Sequence, residues 1–318
     1  MTIEHAHTPL VLTRELRYLA DTRHQHARAA VAGSEVRVGR GAYVRRGVWD
    51  ELDALDRYRL RLIAFSRTRK RPPLFSHQSA AVLHGLPMIG SIPERIHVSV
   101  GRTSGGRSAR GVVAHSREVG SEDIVEVDGL HFTSLLRTGI DLAATMSRPD
   151  AVVVADAIVR NGVPRLALLE AWLRAQPMRG HRRAQEVIAF ADGRAESPLE
   201  SVSRVSMHTG GVPQPALQVP YSDSAGPIGR VDFAWPALGV VGEADGDAKY
   251  LDADLRGGRS AERVVLDEKV REDRLRALGL RVVRWRWTTA MDSRALATHL
   301  ASAGLPFGRR TSWSECCA

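Results

Sequence analysis

The chain has 318 residues, 43% of them hydrophobic, and a formal net charge of +9. That length suits two or three domains with their own cores, and the composition excludes a disordered chain. No apolar run approaches the roughly 18 residues of a membrane span, and the N-terminal MTIEHAHTPLVLTREL lacks the basic-then-apolar order of a secretory signal. The two cysteines, Cys316 and Cys317, are adjacent and cannot staple distant segments. The chain therefore reads as cytoplasmic, with no membrane partner. The positive balance favours a polyanion such as DNA, through counterion release that is blind to base sequence. Lysine stands only at Lys70, Lys249 and Lys269; the remaining Lys/Arg cations are arginines. The plain explanation is coding bias. The surviving lysines then mark places where a compact, titratable ammonium is wanted.

Residues 9–46 read as a small winged helix–turn–helix. The pattern predicts a short helix over Thr13–Leu19 and a second over Thr22–Val31 carrying Arg23, His24, His26 and Arg28, closed by Gly33. A strand pair follows over Glu35–Val44, turning at Gly39-Arg40-Gly41, with Arg37, Arg40, Arg45 and Arg46 decorating the wing. A recognition helix in the major groove with a basic wing on the phosphates suits this layout. Arg23, Arg28, Arg37, Arg40, Arg45 and Arg46 are thus the candidate DNA contacts. The bland alternative is a solvated basic face on an ordinary small domain.

Residues 54–75 read as a helix running into Arg67–Arg71 and stopped by Pro72-Pro73. A helix over Ser76–Pro87 follows, with Ser76 as cap and Gly85 as terminator. Ser76, His77 and His84 raise the thought of nucleophilic catalysis, but no acid lies at a recognisable spacing. Val98–Val100 and Val112–His115 read as strands joined by the Gly/Ser/Arg-rich loop Arg102–Arg110. Thr133–Ala144 reads as a helix capped by Thr133 or Ser134, with Arg137 and Asp141 paired at i,i+4. Three helices follow, over Ala151–Val159, Arg165–Arg174 and Arg182–Ala191.

The segments RGAYVRRG (Arg40–Gly47), SHQSAAVLHGLP (Ser76–Pro87) and TSLLRTGIDLA (Thr133–Ala143) resemble the type IV abortive-infection antitoxins known as AbiEi. The resemblance covers about the first 145 residues. It implies a winged helix that binds operator DNA and a following region that restrains a cognate toxin protein. Only the DNA-binding role is carried over, to the winged helix.

The C-terminal part carries the chemistry. Ser197-Pro198-Leu199-Glu200 opens a helix ended by Gly210-Gly211. Strands are predicted over Val212–Val219, Gly229–Trp235 and Leu238–Glu243, then a helix over Ala261–Leu278, a strand over Leu280–Trp287 and a closing helix over Ser293–Ala303. That order, α-β-β-β-α-β-α, resembles the PD-(D/E)xK nuclease core, and most of all the very-short-patch-repair-like endonucleases, through the run Glu268–Trp285. The resemblance covers about Glu196–Trp287. A hairpin loop of two or four residues would set Asp232 opposite Glu243, with Cβ atoms roughly 5 Å apart. Two facing carboxylates call for a cation, and Mg²⁺, with its preference for hard oxygen ligands, is the natural candidate. Asp232 and Glu243 would hold the metal, Glu200 would reach it through a second ligand or through water, and a lysine, Lys249 or Lys269, would orient the attacking water or neutralise the developing charge.

Plainer structural roles are open to the same residues. Ser197 and Glu200 also make a capping box with Pro198 at the first helical position. The family pattern wants lysine two residues after the third-strand acid, where this chain has Asp245. Lys249 lies farther on, and Lys269 would act from a neighbouring helix or simply pair with Glu272 or Asp273. The sequence thus leads to an α+β and α/β multidomain protein. It comprises a winged helix (1–52), a mixed α/β region (53–148), a helical linker (149–195) and a nuclease-like α/β domain (196–318). The first reading is a DNA-binding antitoxin or autorepressor whose last domain binds Mg²⁺ and DNA. The alternatives are an active Mg²⁺-dependent endodeoxyribonuclease, and an antitoxin that binds protein without touching DNA.

Overall fold

Short apolar strands alternating with amphipathic helices build three separate sheets, divided between two units, Met1–Leu142 and Ala143–Ala318. The computed structural model of the chain describes residues 10–15, 22–101, 108, 111–175, 178–246, 261–306, 308 and 313, leaving out the side chains of residues 22, 23 and 261–265. Among the described residues no helix is long and apolar enough to cross a membrane.

In the first unit β1 (Val11–Leu12) is followed by α1 (Thr22–Val31), β2 (Glu35–Gly39) and β3 (Ala42–Arg45), and the three strands form a sheet of order β1-β3-β2. The expected helix and hairpin at 22–45 are therefore present, with Gly33 and Gly41 at φ 83° and 71°. Of the helix expected over Thr13–Leu19, the described residues 13–15 form a turn directly after β1, and residues 16–19 lie outside the described residues. After α2 (Arg46–Glu51), α3 (Ala54–Arg67) is capped by Asp53, whose carboxylate accepts from the Asp56 N–H at 2.7 Å. It stops short of the predicted end. The Thr68 hydroxyl folds back on the Ala64 carbonyl at 2.8 Å, and beyond Pro72-Pro73 the chain is extended as β4 (Leu74–Phe75).

The chain continues through α4 (His77–Leu83), β5 (Ile96–Val100), β6 (Val112–Ser116), β7 (Ile124–Val127) and β8 (Leu130–Thr133). The resulting five-stranded sheet has the order β6-β5-β4-β8-β7. Tyr58, Leu62, Phe75, Val82, Val98 and Phe132 close its core, and the buried Tyr58 hydroxyl meets Ser79 Oγ at 2.7 Å and the Arg95 carbonyl at 2.8 Å. The helix expected from Thr133 starts two residues later, as α5 (Leu135–Thr145), because Thr133 completes β8. Ser134 is the cap, accepting from the Arg137 N–H at 3.2 Å. The expected Arg137–Asp141 pair is made, with Nε 3.1 Å from both carboxylate oxygens.

The second unit carries α6 (Arg148–Arg160), α7 (Arg165–Arg174), α8 (His181–Phe190) and α9 (Pro198–Gly210). There follow β9 (Ala216–Asp223), β10 (Gly226–Trp235), β11 (Val240–Ala244), α10 (Ala261–Ala277), β12 (Arg281–Trp285), α11 (Trp287–Ala290) and α12 (Ser293–Ser302). The sheet order is β12-β11-β10-β9, antiparallel except for the parallel pair β11–β12 that α10 connects. Successive strand residues point to opposite faces. Ala234 and Val241 pack with Leu275 of α10. Their neighbours Phe233 and Gly242 meet the Trp285 ring, whose Nε1 donates to Ser203 of α9 at 2.8 Å. A Cβ on Gly242 would stand 2.6 Å from that ring, so glycine is what lets the tryptophan lie flat on β11.

Of the helices assigned to the linker, α6 packs on α9 and α8 reaches it through Phe190, around a buried ion pair. Asp156, 0% exposed, accepts from Arg204 Nη1 at 2.7 Å and from the Asp192 N–H at 2.8 Å, while Arg204 also donates to the Phe190 carbonyl at 2.7 Å. Removing one member of a buried pair strands the other charge and costs about 3–5 kcal/mol. We expect Asp156→Ala to lose stability on that scale in urea unfolding of the chain. A loss below about 1 kcal/mol would show that the pair contributes no more than an exposed one.

Candidate functional site

The site begins with a connection of fixed length. Pro236–Leu238 form a 3-10 turn and Gly239 follows at φ 63°, so four residues separate β10 from β11. The register runs Trp235↔Val240, Ala234↔Val241, Phe233↔Gly242. Asp232 and Glu243 are the next positions along, on the face that carries Ala234 and Val241. On the other side of β10, Val231↔Val219 and Phe233↔Leu217 set Gln218 opposite Asp232. Gln218 adopts φ 54°, rare for a residue with a Cβ. Its Nε2 donates to Glu200 Oε2 at 2.9 Å and to Asp232 Oδ1 at 3.3 Å. Glu200, Asp232 and Glu243 thus converge on one place, although they come from α9, β10 and β11.

Glu200 also serves the start of its helix. Its N–H donates to Ser197 Oγ at 3.2 Å, and its Oε2 accepts from the Glu196 N–H at 2.9 Å, one residue before the partner that a standard capping box uses. Asp232 Oδ2 accepts from the Ala244 N–H at 2.8 Å. Glu200 and Glu243 are 5% and 6% exposed. Burial, with the Asp232 charge adding to it, holds the Glu200 carboxyl above its ordinary range. Burial and Asp232 likewise push Glu243 up to about 7, against the opposing pull of Arg271 and Arg284.

The cations nearest these acids are arginines that the sequence pattern does not single out. Arg271 Nη2 of α10 lies 2.8 Å from Glu243 Oε1 and also donates to the Arg230 carbonyl. Asp245, in the expected lysine position, is paired with Arg284 at 3.2 Å, and Arg284 also meets Glu268 at 2.8 Å and Glu272 at 3.1 Å. Lys249 lies outside the described residues. Lys269 is exposed, and Glu272, one of its expected partners, pairs with Arg276 at 2.6 Å as well as with Arg284. The hints are present in the chain. Gln218 is fixed by the β9–β10 hairpin, and Arg271 lies within the run Glu268–Trp285.

The oxygen-rich donor set suits a hard cation such as Mg²⁺. The acids nevertheless already accept from Gln218, Ala244 and Arg271. Among the described residues no group of three His, Cys, Asp or Glu is arranged to hold a metal ion.

In the first unit Arg28, Arg37, Arg40, Arg45 and Arg46 are all exposed on or beside α1 and the β2–β3 hairpin, and the side chain of Arg23 lies outside the described ones. Arg46 approaches Asp50 at 3.8 Å. Ser76 Oγ lies 3.1 Å from His77 Nδ1. His77 is stacked on His115 with ring centroids 3.5 Å apart, and His97 Nδ1 meets His115 Nε2 at 3.0 Å. Burial, then His115 and His97, push His77 down to about 2, with Arg117 and Arg137 acting in the same direction. Among the described residues no carboxylate orients this imidazole, so the set lacks the acid of a hydrolytic triad.

No family model matches the chain. Two relatives in Mycobacterium tuberculosis strains, the uncharacterized proteins MT2308 and Rv2248, are each 33% identical to it over 178 residues. The match spans 56% of this chain and 62% of theirs, less than two thirds of the relatives' length.

Glu243 gives a pH signature. Its carboxyl rises from an ordinary 4.5 to about 7 in the folded chain. The fold therefore prefers it protonated, and stability present at pH 4.5 and below is lost as pH rises through 7. Between about pH 5 and pH 8 the natural chain should lose about 1–3 kcal/mol that Glu243→Gln retains. Parallel stability curves for the two proteins would show that this carboxylate carries no such penalty.

Proposed function

We propose that the chain is a DNA-binding protein whose second unit is a Mg²⁺-dependent endonuclease of the PD-(D/E)xK kind. The observation that carries the reading is the convergence of Glu200, Asp232 and Glu243, with the two strand acids in facing positions of a four-residue hairpin. A helix before an antiparallel three-stranded run, and a second helix crossing to a parallel fourth strand, accord with that core. Asp232 and Glu243 would hold the ion, which when bound polarises a phosphate and acidifies water. Gln218 holds Asp232 and Glu200 in place, and the reaction is hydrolysis of a phosphodiester bond. The exposed arginines of the α1 and β2–β3 region support a winged helix resting on DNA phosphates.

A second reading is favoured by the ion pairs at the acids, Arg271 with Glu243 and Arg284 with Asp245. There the second unit grips DNA or a toxin without cutting, and the protein acts as an antitoxin-like autorepressor.

Plasmid nicking separates the two. With Mg²⁺ or Mn²⁺ the natural chain should nick supercoiled DNA, and Asp232→Ala and Glu243→Ala should each abolish it. No nicking with either ion would leave the second reading in place. Gel shifts on the DNA upstream of the chain's own gene test the first unit. Replacing Arg37, Arg40 and Arg45 with alanine should weaken binding and lower the salt slope by about 1 for each phosphate no longer neutralised. Binding that is unchanged would remove these arginines from the interface.

A further inference from the structure

We propose that Arg271 competes with the divalent cation for Glu243 and, once displaced, presents its guanidinium to the bound phosphate. The inference rests on the nuclease reading above and supplies the cation that the sequence pattern lacks at Asp245.

The fold makes a place for this side chain. β10 carries a bulge between Pro227 and Gly229, and Gly229 sits at φ 130°. A Cβ at position 229 would stand 3.2 Å from Arg271 Nε, so the glycine leaves open the path by which the arginine crosses β10. Arg271 then donates from Nη2 both to the Arg230 carbonyl and to Glu243 Oε1. Both contacts leave from Nη2, so release of Glu243 would return one Nη2 hydrogen as a charge-assisted donor for a phosphate oxygen. The Arg271 side chain is 21% exposed, against 8% for that of Glu243.

The other cations near the acids are less well placed for the role. Arg284 is engaged by Asp245, Glu268 and Glu272 together, and Lys269 points into solvent. Among the described residues Arg271 alone contacts a strand acid of the converging set while remaining at the surface. A divalent ion held by Asp232 and Glu243 needs the same carboxylate, and two cations cannot share it at full strength. The ion takes Glu243, Arg271 keeps its hold on the Arg230 carbonyl, and its charge is then next to any phosphate that the ion binds.

Competition and catalysis predict effects of opposite sign, which a merely structural arginine would not produce. The full chain, Arg271→Ala and Arg271→Lys are titrated with Mn²⁺, and free Mn²⁺ is followed by electron paramagnetic resonance. Cutting of a labelled duplex is measured at saturating Mn²⁺, and thermal melting shows that each variant is folded. Arg271→Ala should bind Mn²⁺ roughly tenfold more tightly yet cut about a hundredfold more slowly. Arg271→Lys should recover part of the cutting, and it tests the same points if the alanine variant does not fold. Equal or weaker Mn²⁺ binding by a folded Arg271→Ala would overturn the competition, and undiminished cutting would overturn the phosphate role. If the natural chain binds Mn²⁺ through Asp232 but cuts nothing, the nuclease reading and the phosphate role fall together, and the affinity comparison still decides the competition. A natural chain that binds no Mn²⁺ overturns the proposal altogether.

Discussion

Two carboxylates side by side on a covered sheet face repel each other and resist losing water, and the surroundings of Asp232 and Glu243 are arranged to meet both demands. Gln218 accepts a left-handed backbone so that its amide can face Asp232 and Glu200 together. The Ala244 N–H turns to the other Asp232 oxygen. Gly229 opens the path for Arg271 to reach Glu243. None of these features stabilises a sheet in its own right, and a left-handed glutamine is a strained one. They make sense together as fittings around an acidic pair that the hairpin length has fixed.

The acidic pair is legible in the sequence because it depends on two simple periodicities. Alternation along β10 and β11 places Asp232 and Glu243 on one face, and Pro236–Gly239 has an even number of residues, which keeps them opposed. The run Glu268–Trp285 contains the arginine partners but does not single them out, since their positions depend on a bulge between Pro227 and Gly229 and on a crossover helix whose register no local pattern sets. Some local signals are stronger than the expected elements suggest. Asp128-Gly129, with φ 52° and 73°, makes the tight turn of the β7–β8 hairpin, and an Asp-Gly pair flanked by alternating apolar residues, Val125 and Val127 before it and Leu130 and Phe132 after it, announces such a turn. Between Arg67 and Leu74 the prolines do more than end a helix. They also prepare a strand too short to show any period, and its pairing with β5 and β8 is visible only in three dimensions.

The first unit holds its own polar cluster, of a different character. His77 is another non-glycine residue in the left-handed region, at φ 51°, and that conformation carries its ring onto His115 and toward His97. Three imidazoles pack there as neutral aromatic groups, because burial and their mutual repulsion disfavour the charged forms. Histidine in such a place behaves as a core residue that happens to be polar. Its proximity to Ser76 is that of adjacent residues in the chain.

The buried contact between Asp156 and Arg204 bears on how this architecture can be passed between genes. A fragment beginning at residue 196 would retain the acidic cluster and all four strands of its sheet. It would also retain Arg204, with neither the carboxylate nor the Phe190 carbonyl that now accept from its guanidinium. Recombination at that point would thus deliver the acids on a scaffold with a bare cation in its interior. The portion that can move as a self-sufficient module has to include α6 and α8, whatever is fused in front of it.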